Sequence, residues 1–222
     1  AADIGWIIVA TALVFLMTPG LAFFYGGMVH RKNVISTMIK SVVAAGVVSI
    51  LWIVVGFSLC FGDSIGGFIG NPGTFAFFKG VTSGAPWSLA PTIPLGLFAL
   101  FQLMFAIITP ALITGAFAER AKFGPFLVFI VLWSLIVYVP VAHWVFATDG
   151  WLSAFSTAGD DVGLNSLDFA GGLAIHVNAG IAAVAAVLVF GKRKGYGSEP
   201  MEPHDVTMVV LGAAILWFGW FG

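Results

Sequence analysis

Asp168 and His176 stand eight residues apart in LDFAGGLAIHVNAG (167–180), a stretch otherwise made of apolar and small residues. Ionisable groups are costly in such a setting, so a pair kept there is a candidate for function. If Asp168 begins a helix, its carboxylate can cap the first-turn N–H groups or hold a cation, and the two roles are compatible. His176 then lies roughly 12 Å further along the axis, near the middle of an apolar layer about 30 Å thick. Asp168, Gly172 and His176 follow at i, i+4 and i+8 and so share a helix face. Gly172 leaves room there for something to pass or for another helix to pack. A neutral imidazole both donates and accepts, which suits a polar small molecule better than a bare cation. The plainer reading is a histidine tied to a neighbouring helix.

Aromatic residues follow the same axis. FQLMF supplies Phe101, Gln102 and Phe105; AHWVF supplies His143, Trp144 and Phe146; LWFGWFG supplies Trp217, Trp220 and Phe221. Aromatic faces attract cations by about 0.5–2 kcal/mol, depending on desolvation. The same residue types also form interfacial belts and ordinary packing. His30 and His204 read as solvated loop residues, and His143 as structural. The single cysteine, Cys60, lies in an apolar run and excludes a disulfide framework within the chain. The sequence carries no metal-ligand spacing, phosphate-binding loop or nucleophile elbow, so neither enzyme chemistry nor a cofactor is expected.

The elements that position these residues follow from composition. The 222 residues are 60% hydrophobic and 9% charged, with a mean hydropathy of +1.06. Soluble domains carry about 25% charged residues. The net charge of -1 offers no long-range attraction for nucleic acid. Charge-free runs long enough to cross a bilayer, about 20 residues each, predict six spans near 4–28, 38–61, 94–117, 123–146, 169–190 and 206–222. The runs are too long and continuous for barrel strands, which leaves an all-α polytopic bundle. Loop 1–2 holds Arg31, Lys32 and Lys40, loop 3–4 holds Arg120 and Lys122, and loop 5–6 holds Lys192, Arg193 and Lys194. Of the nine basic residues only Lys79 lies on the other side. The positive-inside rule therefore puts the odd loops in the cytoplasm and the N-terminus outside. Asp63, Asp149, Asp160 and Asp161 fall in the outer loops, and the segment 62–93, rich in Gly, Pro and Ser, reads as irregular.

Small residues gather in span 5 at Gly171, Gly172, Ala179, Gly180, Ala182 and Ala183. They allow close helix approach, which predicts a span buried in protein. The chain opens on AADIGW without a Met and closes on LWFGWFG inside an apolar run. The first is expected where an upstream segment has been removed, a cleaved signal peptide or a trimmed end alike, and the second where the chain is a piece of something longer.

In order and spacing, DFAGGLAIHVNAG, PGLAFFYGGMVHRKN, GAFAERAKF, GKRKGY and LGAAILWFGWFG resemble the ammonium transporter (Amt) family over essentially the whole chain. Gly171-Gly172 after the aspartate, with GKRKG downstream, favours the Amt branch over its Rhesus relatives. The resemblance implies eleven spans, built as two inverted halves plus a last helix, in a homotrimer with one pore per subunit. Residues 1–222 would be the N-terminal part of that domain: spans 1–5 and most of span 6. It implies a multi-pass protein of the cell (plasma or inner) membrane that moves ammonium or ammonia. Phe105 resembles the outer of two stacked gate phenylalanines, and Asp168 the aspartate that organises the external ammonium site. His176 resembles the first of two pore histidines, and Trp220 a pore-lining aromatic. The second gate phenylalanine, the second histidine and a site serine would follow Gly222. Phe146 stands where the family has a Trp that stacks on the cation. The alternative implied function is an ammonium sensor on the same fold. Such a sensor would signal through a fused cytoplasmic domain or a partner, and a PII-type protein is the regulatory partner expected for a transporter.

Overall fold

The computed structural model describes residues 1–155 and 166–222. Helices dominate it, as lipid requires of a chain that must satisfy its own N–H and C=O groups. The first is α1 (Ala2–Met28). A short 3-10 turn (Arg31–Asn33) leads to α2 (Val34–Leu51), which passes through a π turn (Trp52–Gly56) into α3 (Phe57–Phe61). After the outer loop comes α4 (Leu95–Ile113). Then α5 (Phe123–Trp133) passes through a second π turn (Ser134–Tyr138) into α6 (Val139–Phe146). A third π turn (Gly172–Val177) opens α7 (Asn178–Phe190), and α8 (Val206–Gly219) follows. Among the described residues, five helical runs are long and apolar enough to cross a membrane. α8 is also apolar but has 14 residues, fewer than the roughly 20 of a full crossing.

The expected bounds 94–117 and 123–146 agree closely with the helical runs Leu95–Phe117 and Phe123–Phe146. Span 2 differs from its expected start at 38, because its helical turns begin at Arg31. Lys40 thereby leaves the loop and enters the bundle, where it is 2% exposed. Its ammonium donates to the Ala121 carbonyl at 3.2 Å and lies 6.0 Å from the centre of the Phe126 ring. Two short antiparallel hairpins order part of the segment expected to be irregular. One pairs β1 (Ser64–Ile65) with β2 (Ile69–Gly70), and the other pairs β3 (Pro86–Trp87) with β4 (Ala90–Pro94). Of the acidic loop residues, Asp160 and Asp161 lie outside the described residues.

The tightest helix contact joins α1 to α8 through glycines. A Cβ on Gly212 would stand 2.7 Å from the Gly20 carbonyl oxygen, and one on Gly219 would stand 2.7 Å from that of Leu13. One on Gly27 would stand 2.6 Å from the Asp205 carbonyl oxygen. No side chain fits these gaps, so the two backbones touch directly, the way helices associate in lipid. Elsewhere, large side chains carry polar atoms to buried backbone carbonyls: Trp52 Nε1–H donates to Ala99 at 3.0 Å, and the Tyr25 hydroxyl to Leu112 at 2.6 Å. His143 is fully buried, with Nδ1 2.7 Å from the Cys60 carbonyl and Nε2 2.9 Å from Ser64 Oγ. It bolts α6 to the end of α3, in agreement with a structural role.

At the basic end of the bundle three loops meet on one carboxylate. Glu119 Oε1 accepts the His30 backbone N–H at 2.8 Å and the Asn33 amide at 2.9 Å, and Oε2 pairs with Arg193 at 3.0 Å. These bonds hold Glu119 at φ 66°, a left-handed conformation uncommon outside glycine. The neighbouring Arg120 donates to the carbonyls of Gly191 and Ala116. His204, expected to be solvated, is paired: its Nδ1 lies 2.9 Å from the Val29 carbonyl. Burial raises the Glu119 pKa, but the Asn33 and His30 bonds and the charges of His30 and Arg193 outweigh it and hold the group below its ordinary 4.5. The latch is therefore fully formed above about pH 4.5 and is lost as pH falls through the depressed value. Glu119→Gln is expected to speed hydrogen exchange in 30–33 and 191–204 at pH 7, at a cost of about 1 kcal/mol. It should also remove the acid-dependent loosening of these segments that the parent shows. Equal exchange in both proteins across that range would refute the latch.

Candidate functional site

The span that carries Asp168 and His176 begins later than expected. Its helix starts at Gly172, and Asp168 lies in the irregular stretch before it. The side chain folds back so that Oδ1 accepts the Gly172 N–H at 2.7 Å and Oδ2 accepts those of Leu173 and Ala174 at 3.0 Å each. These are first-turn donors with no partner inside the helix. The capping role read from the sequence is therefore realised. The expected i, i+4, i+8 alignment is not, because Asp168 is outside the helix and the first turn is a π turn. In that turn the His176 N–H reaches the Gly171 carbonyl five residues back, at 3.1 Å. Gly171 makes the bend at φ 75°, and a Cβ there would run into the Ile175 side chain.

The same Gly171 carbonyl lies 3.3 Å from His176 Nδ1. A carbonyl only accepts, so this pairing places the proton of a neutral ring on Nδ1 and leaves Nε2 as an acceptor.

Two cavities adjoin this segment. The outer one, about 310 Å³, is bounded by Phe101, Gln102 and Phe105 of α4, by Phe146 at the end of α6, and by Asp168. Trp87 and Leu89 of the second hairpin roof it. The inner one, about 420 Å³, is bounded by Phe105 and Ile108 of α4, by His176, and by Leu216, Gly219 and Trp220 of α8. Phe105 lines both, as do Phe101 and Phe169. Of the five residues expected to form the site, Asp168 and Phe146 line the first cavity, His176 and Trp220 the second, and Phe105 both.

Both walls are largely aromatic and aliphatic. Phe101 and Phe105 meet edge to face with centroids 4.9 Å apart. Trp87 stacks on Phe98 at 4.4 Å. Trp144, two residues from Phe146, is turned away: its Nε1–H donates to the Phe68 carbonyl at 2.7 Å, and its ring packs on Phe68 and Trp151. It cannot replace a ring at position 146. Trp87 and Phe169 were not singled out from the sequence. Trp87 sits in a Gly- and Pro-rich loop with no periodicity to mark it. Phe169 follows Asp168, and only the turn before the π segment brings it beside the cavities.

The Ammonium Transporter Family model matches residues 5–222. The ammonium transporter of Mycobacterium tuberculosis is 48% identical, over 99% of this chain and 49% of its own length. That of Bacillus subtilis is 47% identical, over 95% of this chain and 48% of its own. Among solved structures, Saccharomyces cerevisiae Mep2 is 42% identical with a TM-score of 0.85, covering 99% of this chain and 48% of that one. A sensor Amt protein is 32% identical with a TM-score of 0.81, covering 97% and 52%. The chain thus spans about half the length of the relatives it matches.

The Asp168 geometry predicts an effect that is local before it is functional. Asp168→Asn keeps one acceptor oxygen but turns an N–H₂ toward a backbone donor. It should destabilise the protein by about 1–3 kcal/mol and speed hydrogen exchange at Gly172, Leu173 and Ala174. Unaltered exchange at those three amides would show that the carboxylate does not hold the turn.

Proposed function

The chain belongs to the ammonium transporter family, a family of multi-pass membrane transporters, and from that premise we propose that its two adjoining cavities are the outer half of an ammonium path. The observation that carries this reading is the position of Phe105, which lines both cavities at once. A cation arriving outside meets the ring faces of Phe105 and Phe146 and the field of Asp168. The carboxylate is buried and bound to the helix, so it acts through its charge and through the turn it holds, not as a ligand. Beyond Phe105 the walls are apolar, and an unpaired charge there costs many kcal/mol unless it gives up its proton. Ammonium that has given up a proton is neutral ammonia, which is small and polar and crosses more cheaply. His176 Nε2, left as an acceptor, can receive an ammonia N–H, and with a second histidine from the remainder of the protein it would relay the released proton. Trp220 forms the inner wall of this path. The positive-inside pattern supports a cell-membrane protein with its N-terminus outside, and the family supports a homotrimer regulated by a PII-type partner.

Sensing is the second reading. It is favoured by the likeness to a sensor Amt protein and by Phe146, a weaker cation–π partner than Trp. On that reading Asp168 and His176 define a site and not a path, and the signal leaves through a fused or partner cytoplasmic domain.

Full-length protein in proteoliposomes, given an ammonium concentration jump, separates the two. A sustained ammonium-specific current supports transport; binding without current or ammonia flux supports sensing. His176→Ala should change the current or its selectivity for ammonium, and an unaltered current with unaltered selectivity would remove its role. Phe146→Trp should lower the half-saturation concentration by roughly two- to fivefold, the worth of ~0.5–1 kcal/mol of added cation–π attraction. No change would argue against recruitment at that ring.

A further inference from the structure

Among the described residues that line the outer cavity, Asp168 and Gln102 alone carry side-chain oxygen. The Asp168 oxygens are committed to three backbone N–H groups, three of the roughly four acceptor positions a carboxylate has. Its side chain is turned to the helix and 7% exposed. Gln102 has no such commitment to a helix end. It lies mid-way along α4, where Leu103, Met104 and Ala106 face the core and Phe101, Gln102 and Phe105 face the cavity. Phe105 follows it by three residues, so the carboxamide and the dividing ring are neighbours on one helix face.

We propose that Gln102 is a neutral hydrogen-bond acceptor that selects N–H cations in the outer cavity. This rests on the ammonium reading above and adds to it the source of discrimination. Ring faces and the Asp168 field attract any compact monovalent cation, because both act on charge alone. Potassium and ammonium are alike to them. A single carboxamide oxygen discriminates by number and direction: it takes one N–H of ammonium along the bond, but replaces only one of the several oxygens that potassium needs once it sheds water, and the aromatic walls supply no others. Being neutral, it adds no charge that would hold the cation against losing its proton at Phe105. A carboxylate at 102 would bind more tightly and release more slowly.

The test uses the full-length protein in proteoliposomes, with ammonium chloride and potassium chloride as probes, and with ammonium binding followed in detergent. Gln102→Leu keeps the bulk and removes the acceptor. It should raise the ammonium half-saturation concentration by roughly 10- to 100-fold, the worth of one hydrogen bond to a charged group. It should also narrow the preference for ammonium over potassium, while the thermal midpoint without ammonium stays as in the parent. Gln102→Glu should lower the half-saturation concentration and also the maximal rate, a split that a packing role would not produce. It also serves as the deciding variant if Gln102→Leu does not fold. Half-saturation within twofold of the parent and an unaltered ammonium-to-potassium ratio in the folded variants would overturn the proposal while leaving the transport reading intact. A parent protein that neither binds nor moves ammonium would overturn both.

Discussion

Three backbone N–H groups at the start of span 5 have no acceptor within the helix, and the Asp168 carboxylate meets all three. Much of the site depends on this one arrangement. For the carboxylate to face the helix, the chain must turn sharply between 168 and 172, and Gly171 supplies the left-handed bend. The bend aims the Gly171 carbonyl down the axis, where it takes two backbone N–H groups and meets the His176 ring. The tautomer of His176 is thus linked to the Asp168 carboxylate through a single turn of backbone. Charge at Asp168 serves folding first. Its influence on a cation follows from where folding has put it.

Around that turn the protein sets surfaces that make few hydrogen bonds. Phe101, Phe105, Phe146 and Trp87 give the outer cavity polarisable walls, and Ile108 and Leu216 give the inner one apolar walls. Phe101, Phe105 and Phe169 belong to both linings. Polar demands are met elsewhere, by His143 between α3 and α6 and by Glu119 among the three loops of the basic end. Keeping those groups paired away from the axis leaves the cavities almost free of competing donors and acceptors.

Much of this was legible in the residues because the background is so apolar. Against a chain with 9% charge, Asp168 and His176 stand out, and the spans nearest them in character, 94–117 and 123–146, can be bounded from charge alone. What was not legible has a common cause. A π turn adds one residue per turn without altering the run of apolar side chains, so nothing in the pattern announces it, and helical spacing then misplaces Asp168 relative to His176. The same blindness applies to Lys40. A basic residue counts toward the loops in a charge tally, but a long aliphatic stem and a free carbonyl at Ala121 let it fold into the bundle. Glu119 shows no sequence sign of its left-handed backbone, which the bonds from His30, Asn33 and Arg193 impose from two other loops.

The glycine contact between α1 and α8 has a consequence in biosynthesis. At about 5–20 residues per second, α8 leaves the ribosome roughly 10–35 s after α1. During that interval the face of α1 that carries Gly20 and Gly27 has no helical mate, and only lipid tails can fill the notches. Displacing those tails is then part of the docking of α8. A bulkier residue in the notch would be felt not by the nascent first helix, which inserts alone, but by the sixth helical segment when it arrives.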